Sequence, residues 1–223
     1  MQSIFEETIG ILDEINVCDH VILIGSWAEY LYEKCEVIEE FVSEIRTQDI
    51  DLLIKNINKP REHIDILSEF SERGYDVDVS GHDIYRLIKD DFEIEFLVPM
   101  KGGSYTASDV PAFELKKVEA LNHVHMLLKD PIDVVYNGVE LGIPNPYNYV
   151  LHKMVINLDR KADKRQKDKS AIGNLMIYLD RDEDQVKFLH YYNEALHKKE
   201  KTKVREYINA HGLEYAFSES MVK

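Results

Sequence analysis

The apolar positions of this chain change rhythm several times, and each change predicts an element. Residues 3–16 set Ile4, Ile9, Leu12 and Ile15 against Glu6, Glu7 and Glu14, the pattern of an amphipathic helix laid on a sheet. Val21–Ile24 is a short unbroken apolar run and reads as a buried strand, stopped by Gly25-Ser26. Helical spacing resumes at once with Trp27, Ala28, Leu31 and Tyr32. A further helical stretch is expected over residues 36–46, after a loop near Cys35, and then a strand over Asp49–Ile54. Asn58-Lys59-Pro60 reads as a helix start, with Ile64, Leu67 and Phe70 inward and Gly74 closing it after Glu72. Residues 76–80 alternate like a half-buried or edge strand. Residues 84–88 and 92–98 read as two strands around a turn at Asp90-Asp91.

The second half begins with a polar, glycine-rich loop over residues 101–108, placed as a lid. Short strands are expected at Val124–Leu128 and at residues 134–136 and 139–141, the last two joined by Asn137-Gly138. Pro144-Asn145-Pro146 marks a boundary. Beyond it the rhythm is helical throughout, over residues 147–158, 169–179, 184–196 and 201–210. The expected fold is therefore mixed α/β (α+β), with a sheet core over residues 1–143 and a helical C-terminal bundle over residues 144–223.

Composition narrows the class. A chain of 223 residues with 44% hydrophobic and 31% charged content suits a soluble globular protein with a full core. No apolar run approaches the roughly twenty residues needed to span a bilayer. The N-terminal residues are acidic and lack the basic start of a secretory signal. Cys18 and Cys35 form no metal-type cluster and need no disulfide, so a reducing cytoplasm is expected. A net charge of −15 argues against a wide nucleic-acid footprint. Lysine and arginine still gather at residues 160–169 and 198–205, enough for a triphosphate or an RNA end.

Candidate chemistry begins with Asp49 and Asp51. Two residues apart on a strand, they leave the same face while Ile50 points away. Like charges held so close are unfavourable without a cation between them, and a hard divalent ion such as Mg2+ suits oxygen ligands. Gly25 allows close backbone approach, and the helix start after it offers free N–H groups to a phosphate. Ser26 reads equally as a simple N-cap. Asp76 and Asp78 form a second Asp-x-Asp, but no Gly-Ser turn precedes them. Glu93 and Glu95 share one face of their strand, opposite Phe92, Ile94 and Phe96, and read either as functional carboxylates or as solvated residues. The nine histidines, His123 and His125 among them, show no H-E-x-x-H pattern and are expected in the core or at the surface. No G-x-S-x-G elbow and no G-x-x-x-x-G-K-[ST] loop is present. Trp27, Tyr191 and Tyr192 read as core or interface aromatics.

Gly25-Ser26-Trp27-Ala28 after a strand, then Arg46-Thr47-Gln48-Asp49-Ile50-Asp51 leading into another, resemble the DNA polymerase beta-type nucleotidyltransferase superfamily. Within it the small bacterial nucleotidyltransferases, including toxin and antibiotic-modifying branches, are the most similar. The resemblance implies transfer of a nucleoside monophosphate from a nucleoside triphosphate, ATP among them, to a hydroxyl, with loss of pyrophosphate. The acceptor is left open as a small molecule, an RNA end or a protein. Two Mg2+ ions, or Mn2+ in their place, would be held by Asp49, Asp51 and a third carboxylate. Glu95, just before Phe96-Leu97-Val98-Pro99, fills that third place where the superfamily more often has Asp; Glu93 is its alternative. Glu95 would also help take a proton. Gly25 and Ser26 would hold the β- and γ-phosphates, and Arg46 would touch phosphate or stay solvated. Lys153 would neutralise pyrophosphate or lie on a solvated helix face. Arg160, Lys167 and Asp168 match a basic loop and Lys-Asp pair of the superfamily but read more simply as surface. The same resemblance admits a catalytically weak binding or regulatory module, or a toxin with an antitoxin or RNA partner.

Overall fold

A computed structural model of the chain describes residues 2–44, 47–79, 85–100 and 108–222. Helix α1 (Gln2–Glu14) buries Phe5, Ile9 and Leu12, and Phe5 lies flat on Trp27 with ring centroids 4.0 Å apart. Strand β1 (Val21–Ile24) is buried along its whole length, as its unbroken apolar run requires. It pairs antiparallel with β2 (Asp49–Ile54), setting Ile24 opposite Asp51. β5 (Phe92–Pro99) lies parallel on the other side of β2, with Asp49 opposite Glu93 and Asp51 opposite Glu95. β4 (Tyr85–Lys89) and then β3 (Asp76–Val79) continue the sheet antiparallel to an exposed edge. The far half of β5 pairs in parallel with β7 (Leu115–Leu121), which β6 (Ser108–Val110) flanks.

Asn137 and Gly138, both at positive φ, turn a separate hairpin of β8 (Ile132–Tyr136) and β9 (Val139–Ile143). Helix α2 (Ser26–Lys34) follows β1 directly. The chain ends in helices α4 (Pro146–Asn157), α5 (Ala162–Met176), α6 (Asp182–Glu194), α7 (Lys198–His211) and the short α8 (Glu219–Val222). Asn145 starts α4 by accepting from the Asn148 N–H at 2.9 Å, with Pro146 in the first turn. The helical layer packs on the sheet half within one hydrophobic cluster. Tyr32 donates to the Pro144 carbonyl at 2.8 Å, and its ring meets Tyr149 edge-on.

The mixed α/β fold with a helical C-terminal layer agrees with the sequence reading; several elements do not. The helix expected over residues 36–46 is absent from the described part. Glu36 and Glu40 adopt φ of 52° and 59°, and Glu33 accepts from the Ser43 N–H and hydroxyl, which folds residues 36–44 back as turns and coil. Residues 45–46 lie outside the described residues. The helix expected from Asn58 shrinks to α3 (Ile66–Ser71), because Asp65 caps the Ser68 N–H at 3.0 Å while Ile64 N–H is engaged by the Ala112 carbonyl. Residues 59–65 are bend and coil, so no helix starts at Pro60. Val124–Leu128 is a 3-10 turn rather than a strand: His123 at φ 67° bends the chain out of β7, and Val124, Met126 and Leu127 still reach the core. β6 and β7 were not predicted, since Lys116 and Lys117 interrupt the alternation that Leu115, Val118 and Ala120 would otherwise show. α5 begins at Ala162, ahead of the predicted residue 169. The lid placed at 101–108 lies outside the described residues up to 107.

Candidate active site

The sheet register gathers the carboxylates. Parallel pairing of β2 with β5 sets Asp49, Asp51, Glu93 and Glu95 on one face, in two cross-strand pairs. Ile50 and Ile94 fill the opposite face and are completely buried, so the register cannot slip without exposing them. The pairing of β1 then brings Gly25 to the same place. Gly25 has φ 70°, and a Cβ built on it would stand 2.5 Å from Asp51 Oδ2. No side chain fits there, and the backbone turn passes directly against the Asp51 carboxylate. Gly25 itself occupies the N-cap position of α2, so Ser26 opens the helix and does not cap it.

Charge on this face is poorly compensated. Burial, and then the neighbouring Asp49, push the Asp51 carboxyl up to about 6, although Lys164, Arg160 and Lys153 pull the other way. Burial is also the main reason that Glu95 rises to about 7; Asp51, Glu119 and Glu93 add to it, and Arg86 opposes it. Arg86 on β4 forms an ion pair with Glu95 at 2.7 Å through Nε and a second with Glu93 through Nη1. Asp49 is exposed at the strand start and accepts from the Thr47 hydroxyl at 3.2 Å.

The helical layer faces this acidic strip with cations. Lys153 Nζ on α4 stands 3.5 Å from Asp168 Oδ1, 3.7 Å from Glu29 Oε1 and 4.8 Å from the Tyr149 ring centroid. Arg160 reaches the same Asp168 oxygen at 3.0 Å. Asp168 is 1% exposed and holds both cations from beneath. Tyr149 directs its hydroxyl at Glu29, 2.6 Å away, and at the Gly25 carbonyl, 2.9 Å away. One tyrosine thus ties the glycine turn, α2 and α4 together.

Of the predicted residues, Gly25, Ser26, Asp49, Asp51, Glu93 and Glu95 come together, and the charges of Lys153 and Arg160 reach Asp51. Lys167 lies on an exposed face of α5, while Lys164, one turn before Asp168, is the lysine Asp51 feels most. Arg46 is outside the described residues. Asp76 and Asp78 sit on the exposed edge strand β3, with β4 and β5 between them and β2. Sequence reasoning missed Arg86, Glu29, Tyr149 and Lys164. Arg86 was recoverable: a hairpin at Asp90-Asp91 pairs Ile88 with Glu93, and the same register puts Arg86 beside Glu95.

The chemistry of the donor set fits a hard divalent cation. Its ligands are all carboxylate oxygens, and two of them resist ionisation, chiefly because they are buried and then because other carboxylates stand beside them. Among the described residues, the group whose ligand atoms all lie within 4.8 Å of one another is a different one, His125, His197 and Glu200.

The sequence model of a nucleotidyltransferase family matches residues 6–197. No curated protein sequence matches the chain. Among solved structures it is similar to the crystal structure of an antigenic nucleotidyltransferase-like protein from Paracoccidioides brasiliensis. The TM-score is 0.52 and the identity 14%, over 99% of this chain and 94% of that one. At that identity the likeness carries the fold alone. Among the described residues no helix is long and apolar enough to cross a membrane.

Proposed function

This chain belongs to the nucleotidyltransferase family, and we propose that it moves a nucleoside monophosphate from a nucleoside triphosphate to an acceptor hydroxyl, as small bacterial members of the DNA polymerase beta-type superfamily do. The observation that carries this reading is the register of β2 between β1 and β5. It sets Asp51 opposite Glu95 and against a glycine turn that admits no side chain. Asp49, Asp51 and Glu95 would hold two divalent cations, Mg2+ or Mn2+. When bound, such ions supply Lewis-acid stabilisation of phosphate charge. The N–H groups at the start of α2 and the Ser26 hydroxyl bind the β- and γ-phosphates. Lys153, Arg160 and Lys164 offset the charge of the departing pyrophosphate. Glu95, on the strand beside Asp51, helps take the proton of the attacking hydroxyl. Residues 1–143 carry the reacting groups, and residues 144–223 supply the cationic wall. ATP in a reducing cytoplasm, where Cys18 and Cys35 stay free, is the setting this chemistry fits.

A second reading, a nucleotide-binding module with little catalysis, is favoured by one observation: Arg86 already pairs with both Glu93 and Glu95. The two readings separate in one assay. With Mg2+, each nucleoside triphosphate and cell extract as acceptor source, transferase activity releases pyrophosphate, and Asp49→Ala with Asp51→Ala abolishes the release. Unchanged release by the double variant overturns the transferase reading. A rise in melting temperature with Mg2+ and triphosphate, without pyrophosphate release, selects the binding module.

A further inference from the structure

A second concentration of chemistry lies where the 3-10 turn Val124–Leu128 meets the start of α7. We propose that His125, His197 and Glu200 form a binding site for one transition-metal ion of the Zn2+ class, joining the exit of β7 to α7. The potential ligand atoms of all three lie within 4.8 Å of one another, and His125 Nε2 is 3.6 Å from Glu200 Oε2. Two imidazoles and a carboxylate are a borderline-soft set that suits Zn2+ and disfavours Mg2+, and three protein ligands leave one tetrahedral position open. The rings of His125 and His197 lie nearly parallel, with centroids 4.8 Å apart.

Three further features single this cluster out from a chance gathering of histidines. His125 Nε2 is buried with no group at full hydrogen-bond distance, and the Glu200 carboxylate stands just beyond it at 3.6 Å. Glu200 is 3% exposed and its carboxylate is already oriented: Oε2 accepts from the His197 backbone N–H at 2.8 Å, and Oε1 lies 2.5 Å from His123 Nδ1. Lys203 can only donate, and it lies 3.4 Å from His123 Nε2, so that nitrogen accepts and Nδ1 carries the proton given to Glu200. This is the outer hydrogen bond that metal-binding carboxylates commonly receive. His197 occupies the N-cap position of α7, and its backbone N–H donates to the Glu200 carboxylate.

The test uses the full chain without a histidine tag, stripped by chelator and titrated with Co2+ and then Zn2+ in excess Mg2+. The expected result is one equivalent of Co2+ with the intense visible bands of a tetrahedral site, displaced by Zn2+. Zn2+ at a hundredfold excess over its Kd raises Tm by about 5–10 °C. His125→Gln and His197→Asn each weaken binding at least about tenfold. His197 is exposed and Asn is itself a good N-cap, so the metal-free His197→Asn protein keeps a wild-type Tm, and half-buried His125 gives a second variant that leaves the N-cap position alone. Absence of saturable Co2+ or Zn2+ binding in Mg2+ overturns the proposal, as does unchanged affinity in the double variant. No nucleotide enters the experiment, so its outcome is independent of the transferase reading.

Discussion

The acidic face of the sheet and the basic layer of helices confront each other, but their charges are built differently. On the helices each cation that faces the site through α4 or its exit has a carboxylate beneath it: Asp168 serves Lys153 and Arg160, and Glu29 is close to Lys153 as well. On the sheet, Asp49, Asp51, Glu93 and Glu95 crowd together, and Arg86 reaches only the β5 pair. Burial first, and the neighbouring carboxylates after it, hold Asp51 and Glu95 well above ordinary carboxylates. A face left short of positive charge has affinity to spare for cations, whereas a cation fixed by a buried carboxylate has a position to offer a phosphate.

The largest expected effect removes the acidic side. Asp49→Ala or Asp51→Ala lowers kcat/KM by about 10^3-fold or more in a pyrophosphate-release assay. The next breaks the basic side. Asp168→Ala leaves Lys153 and Arg160 without their common partner and destabilises the fold by about 3 kcal/mol, read from denaturant unfolding. Gly25→Ala adds a methyl where Asp51 Oδ2 stands and a side chain at positive φ; it costs about 1–3 kcal/mol and lowers triphosphate affinity at the same time.

A subtler effect separates charge from coordination. Asp51 has its carboxyl raised from 3.8 to about 6, so ionisation works against the fold. The penalty is fully present above pH 6 and vanishes below pH 4. Asp51→Asn therefore raises Tm by about 2–6 °C at pH 8 in chelator, does nothing at pH 3.5, and loses to the wild type once Mg2+ is added. The smallest effect sharpens the comparison at Arg86. In metal-free protein Glu95 titrates at about 7, and Arg86→Met raises that titration by about one unit because the opposing positive charge is gone, read by NMR of the labelled carboxyl in chelator.

Much of this site was legible because strand chemistry is local. The unbroken apolar run of β1, the glycine stop and the alternation around Asp49 and Asp51 each depend on neighbours in sequence, and the fold keeps them. The pairing of Asp51 with Glu95 needed one step more, the adjacency of β2 and β5. Arg86 was open to the same arithmetic once the Asp90-Asp91 turn was assumed. Tyr149, Glu29 and Lys164 were not legible: Tyr149 meets Gly25 only through the packing of α4 on α2, and nothing in the sequence measures that. The misjudged helices fail for a related reason. Apolar Val37, Ile38 and Phe41 reach the core from turns, where left-handed Glu36 and Glu40 and the Ser43–Glu33 hydrogen bonds override helical spacing.

The central claim is that Asp49, Asp51 and Glu95 hold divalent cations beside a triphosphate bound at Gly25-Ser26. Its most direct measurement is Mn2+ binding followed by electron paramagnetic resonance, with a non-hydrolysable nucleoside triphosphate present and the histidine cluster filled with Zn2+. Two nucleotide-dependent ions per chain in the wild type, and neither in Asp49→Ala with Asp51→Ala, is the predicted result. The same two ions retained by the double variant would contradict it.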